Sequence, residues 1–188
     1  MKVKKSDISK LLSELKIIKA VHKDSEGRSI VNINISDDDG FLSVFSSDDE
    51  PVISNETSEF LEHSLGHILP SAALHFVFKS DAIDEQERIT YDKAIRNYYH
   101  NVYIEVSSKI RTNTMLAIIM GIISAIIFGI AVALEKMEFG IVFLNMLDVA
   151  AWVFMWEAVD IFAFRCSDLK RKRLRTLQII KSVITFTR

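Results

Sequence analysis

Two long apolar runs dominate the pattern along the chain, Thr114–Leu134 and Phe139–Phe164, with only Glu135-Lys136-Met137-Glu138 between them. Residues 112–134 form 23 consecutive positions without a charge. At about 1.5 Å per helical residue that stretch exceeds a hydrocarbon layer of about 30 Å. The second run is also long enough but contains Asp148, Glu157 and Asp160. The pattern predicts a transmembrane helical hairpin over 114–164, with spans at 114–134 and 139–164.

Ahead of the hairpin the periodicity changes several times. Residues 6–23 place Ile8, Leu11, Leu12, Leu15, Ile18 and Val21 at helical spacing. Val31, Ile33 and Ile35 alternate with asparagines as in a strand, Asp37-Asp38-Asp39-Gly40 is a turn, and Phe41, Leu42, Val44 and Phe45 predict a second strand of a hairpin. A helix is expected over Ser54–Leu69, stopped by Pro70, followed by a strand at Leu74–Phe78. From Asp81 a long helix steps through Tyr91, Ile95, Tyr98, Val102, Val106 and Ile110 toward the first span. After the second span a basic helix reaches Ser182, and Val183–Phe186 predicts a final strand that returns to the N-terminal sheet. The expected organisation is an α+β cytosolic domain (1–80), a helix leading into the membrane (81–113), the transmembrane helical hairpin (114–164) and a basic cytosolic tail (165–188).

Charge sharpens the topology. Residues 1–111 carry 14 Lys/Arg against 19 Asp/Glu, whereas 165–188 carry 8 against 1. Lys109 and Arg111 precede the first span; Arg165, Lys170, Arg171, Lys172, Arg173 and Arg175 follow the second; the linking loop is acidic. The positive-inside rule then places both termini in the cytoplasm of a multi-pass plasma-membrane protein. Lys170, Arg171, Lys172, Arg173 and Arg175 suit anionic lipid headgroups better than nucleic acid. Lys2-Val3-Lys4-Lys5 opens like a signal peptide, but Asp7 and Lys10 follow where an apolar core is required, so insertion falls to the hairpin. The lone Cys166 excludes an intrachain disulfide framework.

Within the spans two stripes recur every four residues. Ala117, Gly121, Ala125, Gly129 and Ala133 form a small-residue groove of the kind that admits another helix. Asp148, Trp152, Trp156 and Asp160 form the second stripe, with Asn145 on the same sector, and the simplest packing sets the two Trp rings into the small groove. Phe143, Leu147, Ala151, Phe154, Ala158 and Ile161 are then left for lipid. Ionisable groups within a span are costly and mark a function or a lock. Asn145, Asp148, Glu157 and Asp160 are therefore the intramembrane polar candidates. Asp148 lies near the height of Ser124 and Asp160 near Arg111, an interfacial ion pair. Glu157 is about 180° from Asp148, so the three carboxylates do not line one narrow pore.

Other chemistry is sparse. Glu59, His63 and His67 share one helix face, but no further ligand accompanies them, so no metal or cofactor is expected. The acidic turns lack the spacing of a calcium loop. His75, beside Phe76 in a strand, reads as a satisfied sheet histidine. No nucleophile elbow, phosphate loop or paired-cysteine motif occurs, and no catalytic residue is assigned.

The stretch Asp148-Val149-Ala150-Ala151-Trp152-Val153-Phe154-Met155-Trp156-Glu157-Ala158-Val159-Asp160, with Ala94-Ile95-Arg96-Asn97-Tyr98-Tyr99, Phe41-Leu42-Ser43 and Pro51-Val52-Ile53-Ser54, resembles an uncharacterised family of small two-span membrane proteins from Gram-positive bacteria. The resemblance implies a bacterial plasma-membrane protein and no activity. In layout the chain also looks like calcium-uniporter pores, but residues 139–147 hold neither the acid nor the proline of their filter. The expectation is a non-enzymatic protein that anchors a small domain, able to bind an unknown cytosolic protein partner, at the lipid bilayer. The alternative is a homo-oligomer that conducts ions or acts as a membrane effector.

Overall fold

A computed structural model describes residues 22–137 and 140–187. The helix expected over 6–23 therefore lies outside the described residues, except for His22 and Lys23, and so do Glu138 and Phe139 of the inter-helix link. His22 and Lys23 are extended rather than helical, since Lys23 bridges Ser29 and the His22 carbonyl accepts from the Ile30 N–H at 2.8 Å. The chain divides into two compact units, one built from residues up to 101 together with those from 174 onward, the other from 102–173.

The first unit is a small α+β layout around a three-stranded, all-parallel sheet in the order β1 (Ser29–Asn34), β2 (Leu74–Lys79), β3 (Val183–Thr187). The register aligns Ile30 with His75 and His75 with Val183, so each row of side chains shares a face. One face carries the core: Val31, Ile33, Leu74, Phe76 and Phe78, with Ile184 and Phe186 against them. Helix α1 (Asn55–Ser64) and its exit supply Leu61, Leu65 and Ile68; helix α2 (Glu85–Glu135) supplies Tyr91, Ala94, Ile95 and Tyr99; helix α4 (Cys166–Ile180) supplies Ile179. Both crossovers therefore lie on the same side, as crossovers of one hand do when each advances one strand in the same direction. Parallel sheets are ordinarily covered on both faces. Here the second face shows the rows Asn32, Val77, Thr185 and Asn34, Lys79, Thr187.

The predicted β-hairpin does not form. Asp37 turns the backbone by accepting from the Asp39 N–H at 3.0 Å, and Gly40 takes φ of 84°. The chain thereby leaves the sheet, and β1 pairs in parallel with β2 instead. Phe41 is buried and stacks on Tyr91 with centroids 4.3 Å apart, Leu42 bridges only Ile53, and Val44 and Phe45 are almost fully exposed at the loop tip. Helix α1 starts where expected, with the Ser54 side chain accepting from the Thr57 N–H, but ends at Ser64 rather than Leu69. The following residues close by tighter i→i+3 bonds, among them Gly66 N–H to the His63 carbonyl. Asp84 caps α2 by accepting from Gln86 and Glu87 N–H, while Glu87 accepts from the Asp84 N–H at 2.7 Å, a reciprocal capping box. Every sequence-derived apolar position of this helix from Tyr91 to Ile110 is buried or half-buried.

The chain's C-terminal part is built into the first unit. Gln178 donates to the carbonyls of Leu69 and Ala72 at 2.8 and 2.7 Å, and Arg175 donates to that of Ile68 at 2.8 Å. Arg96, held by Asp92, donates to the Ile180 carbonyl at 2.7 Å at the end of α4, the position where a cation suits a helix dipole. Phe186 stacks on Phe78 at 5.2 Å.

In the second unit α2 runs on to Glu135, and α3 (Ile141–Asp160) passes through five residues of wider π-helical turn, Ile161–Arg165, into α4. Both helices are long and apolar enough to cross a membrane. The Ser124 hydroxyl donates to the Ala151 carbonyl at 2.7 Å, and the Thr114 hydroxyl lies 3.8 Å from the Cys166 thiol. Moving back ten residues on one helix thus meets a residue fifteen further on the other. The pair is antiparallel.

Candidate functional site

The hairpin seam follows spacings of seven. Ala117, Ser124 and Ala131 of α2 are buried, as are Ala151, Ala158 and Ile161 at the other side. A seven-residue repeat keeps one narrow line of each helix in contact, and small side chains on that line allow the approach that the Ser124 bond records. This corrects two expectations. The sector assigned to lipid holds Ala151, Ala158 and Ile161, which form the seam. Trp152 and Trp156, assigned to the groove, are each 68% exposed. A step of four advances about 40° per repeat, so the stripe Ala117, Gly121, Ala125, Gly129, Ala133 begins in the seam and winds out of it. Ala125, Gly129 and Ala133 are exposed, and a Cβ placed on Gly121 or Gly129 would meet nothing.

The carboxylates separate into two sets. Arg165 donates to Glu157 at 2.9 Å and to Asp160 at 3.0 Å. In an uninterrupted α-helix residues five apart diverge by about 140°. The π turn spanning Ile161–Arg165 replaces the four-residue spacing with five, which brings Arg165 over Asp160. Asp160 therefore pairs with Arg165, not Arg111. Asp148 is exposed beside exposed Asn145, and the Ser124 hydroxyl near its height is committed to the Ala151 carbonyl.

Of the basic residues, Lys170, Arg171 and Lys172 are exposed, with the Lys170 ammonium 5.5 Å from the centre of the Phe162 ring. Arg173 is half-buried. Arg175 is withdrawn from any headgroup role by its bond to Ile68, and burial lowers its guanidinium from the ordinary arginine value. Glu59 and His63 on α1 and His67 beyond its end are exposed, and among the described residues no group of three or more such side chains is placed to hold a metal ion.

Two features escaped the sequence pattern. The first is a relay on the second face of the sheet. Asp24 lies 3.1 Å from His75 Nδ1, and His75 Nε2 lies 3.0 Å from the Thr185 hydroxyl. Burial raises the Asp24 carboxyl, but hydrogen bonds from the Arg28 side chain and backbone, then from His75 and the Glu26 N–H, hold it well below the usual carboxylate range. The order acid, imidazole, hydroxyl is that of a hydrolytic triad, yet Asp24 is spent on Arg28 at 2.6 Å. His75 thus ties the turn before β1 to the last strand. Residues 51 and 110 positions away complete it, and no local spacing announces them. The second feature is a cavity of about 310 Å³ beyond the carboxyl ends of β1 and β2, lined by Asn34, Asp37, Asp39, Glu56, Thr57 and Phe60 among others. Ligands of open α/β sheets bind at this end of the strands, and three carboxylates make this one acidic.

Comparison with protein-family models, with curated proteins and with solved structures finds no match. The functional reading therefore rests on the geometry above.

Proposed function

We propose that the chain is a non-enzymatic integral membrane protein that holds a small partner-binding domain at the cytoplasmic face of the plasma membrane. The observation that carries this reading is the pairing of β3 with β2. Strand β2 precedes the two apolar helices and β3 follows them, so one sheet closes across the hairpin. A segment that leaves and rejoins one sheet crosses a bilayer an even number of times, and two helices of sufficient length lie between. The basic residues after α3 favour the cytoplasmic side for that sheet.

For the domain, the acidic cavity rimmed by exposed Phe60 suits a partner segment that presents a basic side chain beside an apolar one. The pore reading is weakened by Arg165, which pairs with both Glu157 and Asp160 and offsets one of their two charges.

Cysteine accessibility tests the topology. In a Cys166→Ser background, Met137→Cys is expected to react with an impermeant maleimide only from outside the cell, and Lys181→Cys only from inside. Labelling of both positions from one side would refute the arrangement. A photo-crosslinking residue at Phe60 is expected to capture a protein in cells, with capture lost on Asp37→Asn with Asp39→Asn. Equal adducts in the neutralised chain would remove the acidic cavity from the reading.

A further inference from the structure

We infer that Lys170 and Arg171, near the start of α4, form a binding site for the phosphate of an anionic phospholipid in the cytoplasmic leaflet. The inference rests on the membrane-spanning reading above and names the lipid that the hairpin takes.

Depth selects these two residues from the basic run. The thiol of Cys166, the first residue of α4, lies 3.8 Å from the Thr114 hydroxyl, near the start of the uncharged run 112–134. Cys166 thus marks the edge of the hydrocarbon layer. At about 1.5 Å per residue, Lys170 is about 6 Å beyond that edge and Arg171 about 7.5 Å. The headgroup region is about 5–7 Å deep on each side, the difference between a core of about 30 Å and a bilayer of about 40–45 Å. Arg173 is half-buried and about 10 Å beyond the edge.

Side-chain direction adds to depth. In a helix each Cα–Cβ bond tilts toward the N-terminus, and α4 has its N-terminal end at the membrane. Its side chains therefore lean back toward the bilayer. Lys170 shows this directly, its ammonium standing 5.5 Å from the centre of the Phe162 ring, eight residues earlier in the chain. Phe162 and Phe164 are exposed. A cation above and apolar rings below repeat the order of a phospholipid, head outside and tail inside.

The charge of the two residues is uncompensated. Lys170 and Arg171 are exposed, and among the described residues neither forms an ion pair. Asp168, the sole acid of α4, is exposed and pairs with neither. Glu157 and Asp160 hold Arg165. Glu105 holds Lys109, whose bond lowers the Glu105 carboxyl with a smaller contribution from Lys172, so Lys172 serves the α2 flank. Arg175 is bonded to the Ile68 carbonyl. A guanidinium meets two phosphate oxygens at once, and an ammonium adds a point charge. A zwitterionic headgroup carries its own cation, so the pair favours a phosphodiester without one. A second copy of the chain on this flank would set the same cations against each other, which is costly.

The test uses the full-length chain in mild detergent with an equimolar mixture of phosphatidylglycerol and phosphatidylcholine of identical acyl chains, read by native mass spectrometry. A basic residue at an anionic lipid surface gives about a fivefold preference, so retained phosphatidylglycerol should exceed phosphatidylcholine about 30-fold. Lys170→Gln with Arg171→Gln is expected to bring the ratio to within about twofold of unity, whereas Lys172→Gln with Lys181→Gln, equal in charge, is expected to leave it unchanged. Equal loss in both variants, or equal retention of the two lipids by the native chain, would overturn the site. Lys170→Arg with Arg171→Lys keeps both charges and is expected to keep the preference; its loss there would show a structural effect and overturn the assignment. Millimolar inorganic phosphate is expected to leave the lipid bound, and displacement would assign the site to free phosphate instead. Membranes carrying the native chain are also washed with alkaline carbonate. A chain that stays in the pellet but shows no lipid preference overturns this inference and leaves the spanning reading intact. Release by carbonate overturns both.

Discussion

Closure of the sheet across the hairpin is tested most directly at Gln178. Gln178 is 7% exposed and donates to the carbonyls of Leu69 and Ala72, the first of which also accepts from the Ala72 N–H at 3.0 Å. Gln178→Leu keeps the volume and the helix preference and removes both donors. A hydrogen bond contributes about 0.5–1.5 kcal/mol net, and a buried carbonyl left without a partner costs about 1–3 kcal/mol. Leu69 keeps its backbone donor, so the loss is that of the Ala72 carbonyl, about 1–3 kcal/mol. At about 1.4 kcal/mol per tenfold, the open population of the final helix end and β3 should rise roughly 5- to 100-fold. Hydrogen exchange read by mass spectrometry on the detergent-solubilised protein is the assay. Protection of Val183–Thr187 and of β2 is expected to fall by that factor, while residues 115–130 keep theirs. Unchanged exchange at Val183–Thr187 would refute the role of α4 as the clamp that returns the chain to its sheet.

Asp24→Asn is expected to destabilise the sheet unit near neutral pH and to remove an acid-dependent part of its stability. The folded carboxyl is depressed, so its contribution is complete above the ordinary value of about 3.9 and is lost as pH falls below it. Melting curves at pH 7 and pH 3 should thus differ less for the variant than for the native chain, and equal differences would count against the relay. Arg165→Gln frees Glu157 and Asp160. In detergent the loss is expected to be that of two exposed pairs, about 0.2–1 kcal/mol each, and larger in a bilayer, so a melting-temperature loss no greater in nanodiscs would place the cluster in water. Ser124→Ala should cost about 0.6 kcal/mol, the average for a hydrogen bond between membrane helices. Ser124→Leu should cost about 1–3 kcal/mol by overpacking the seam. Equal melting temperatures for these two would show that the helices do not approach as closely as the Ser124 bond requires.

The elements that the sequence made legible are those whose signal is local. Alternation marked β1, the run Leu74–Phe78 marked β2, and steps of three and four placed Tyr91, Ile95 and Val106 on the buried side of α2. Ser182 marked the break before β3, and the return of β3 to the N-terminal sheet was expected from its composition. The missing strand at 41–45 shows the limit. Its apolar residues suited a hairpin, but Phe41 gains more by stacking on Tyr91, 50 residues away in the chain. The ion pair of Asp160 was misassigned because a π turn changes the spacing from four to five, and nothing in Ile161–Arg165 announces that turn. The relay of Asp24, His75 and Thr185 depends on strand order, which periodicity does not encode.

The hairpin seam is the instructive failure. Matching large rings to a small groove was sound physics applied to the wrong spacing. A step of four suits a face that winds round an α-helix, whereas two helices in lengthwise contact select the steps of seven found at Ala117, Ser124 and Ala131. The stripe and the rings were therefore bound to leave the seam together. Of the three carboxylates on α3, the two near its end pair with Arg165. The third, Asp148, is exposed, and at a span centre it would cost about 2.5–3.5 kcal/mol against lipid.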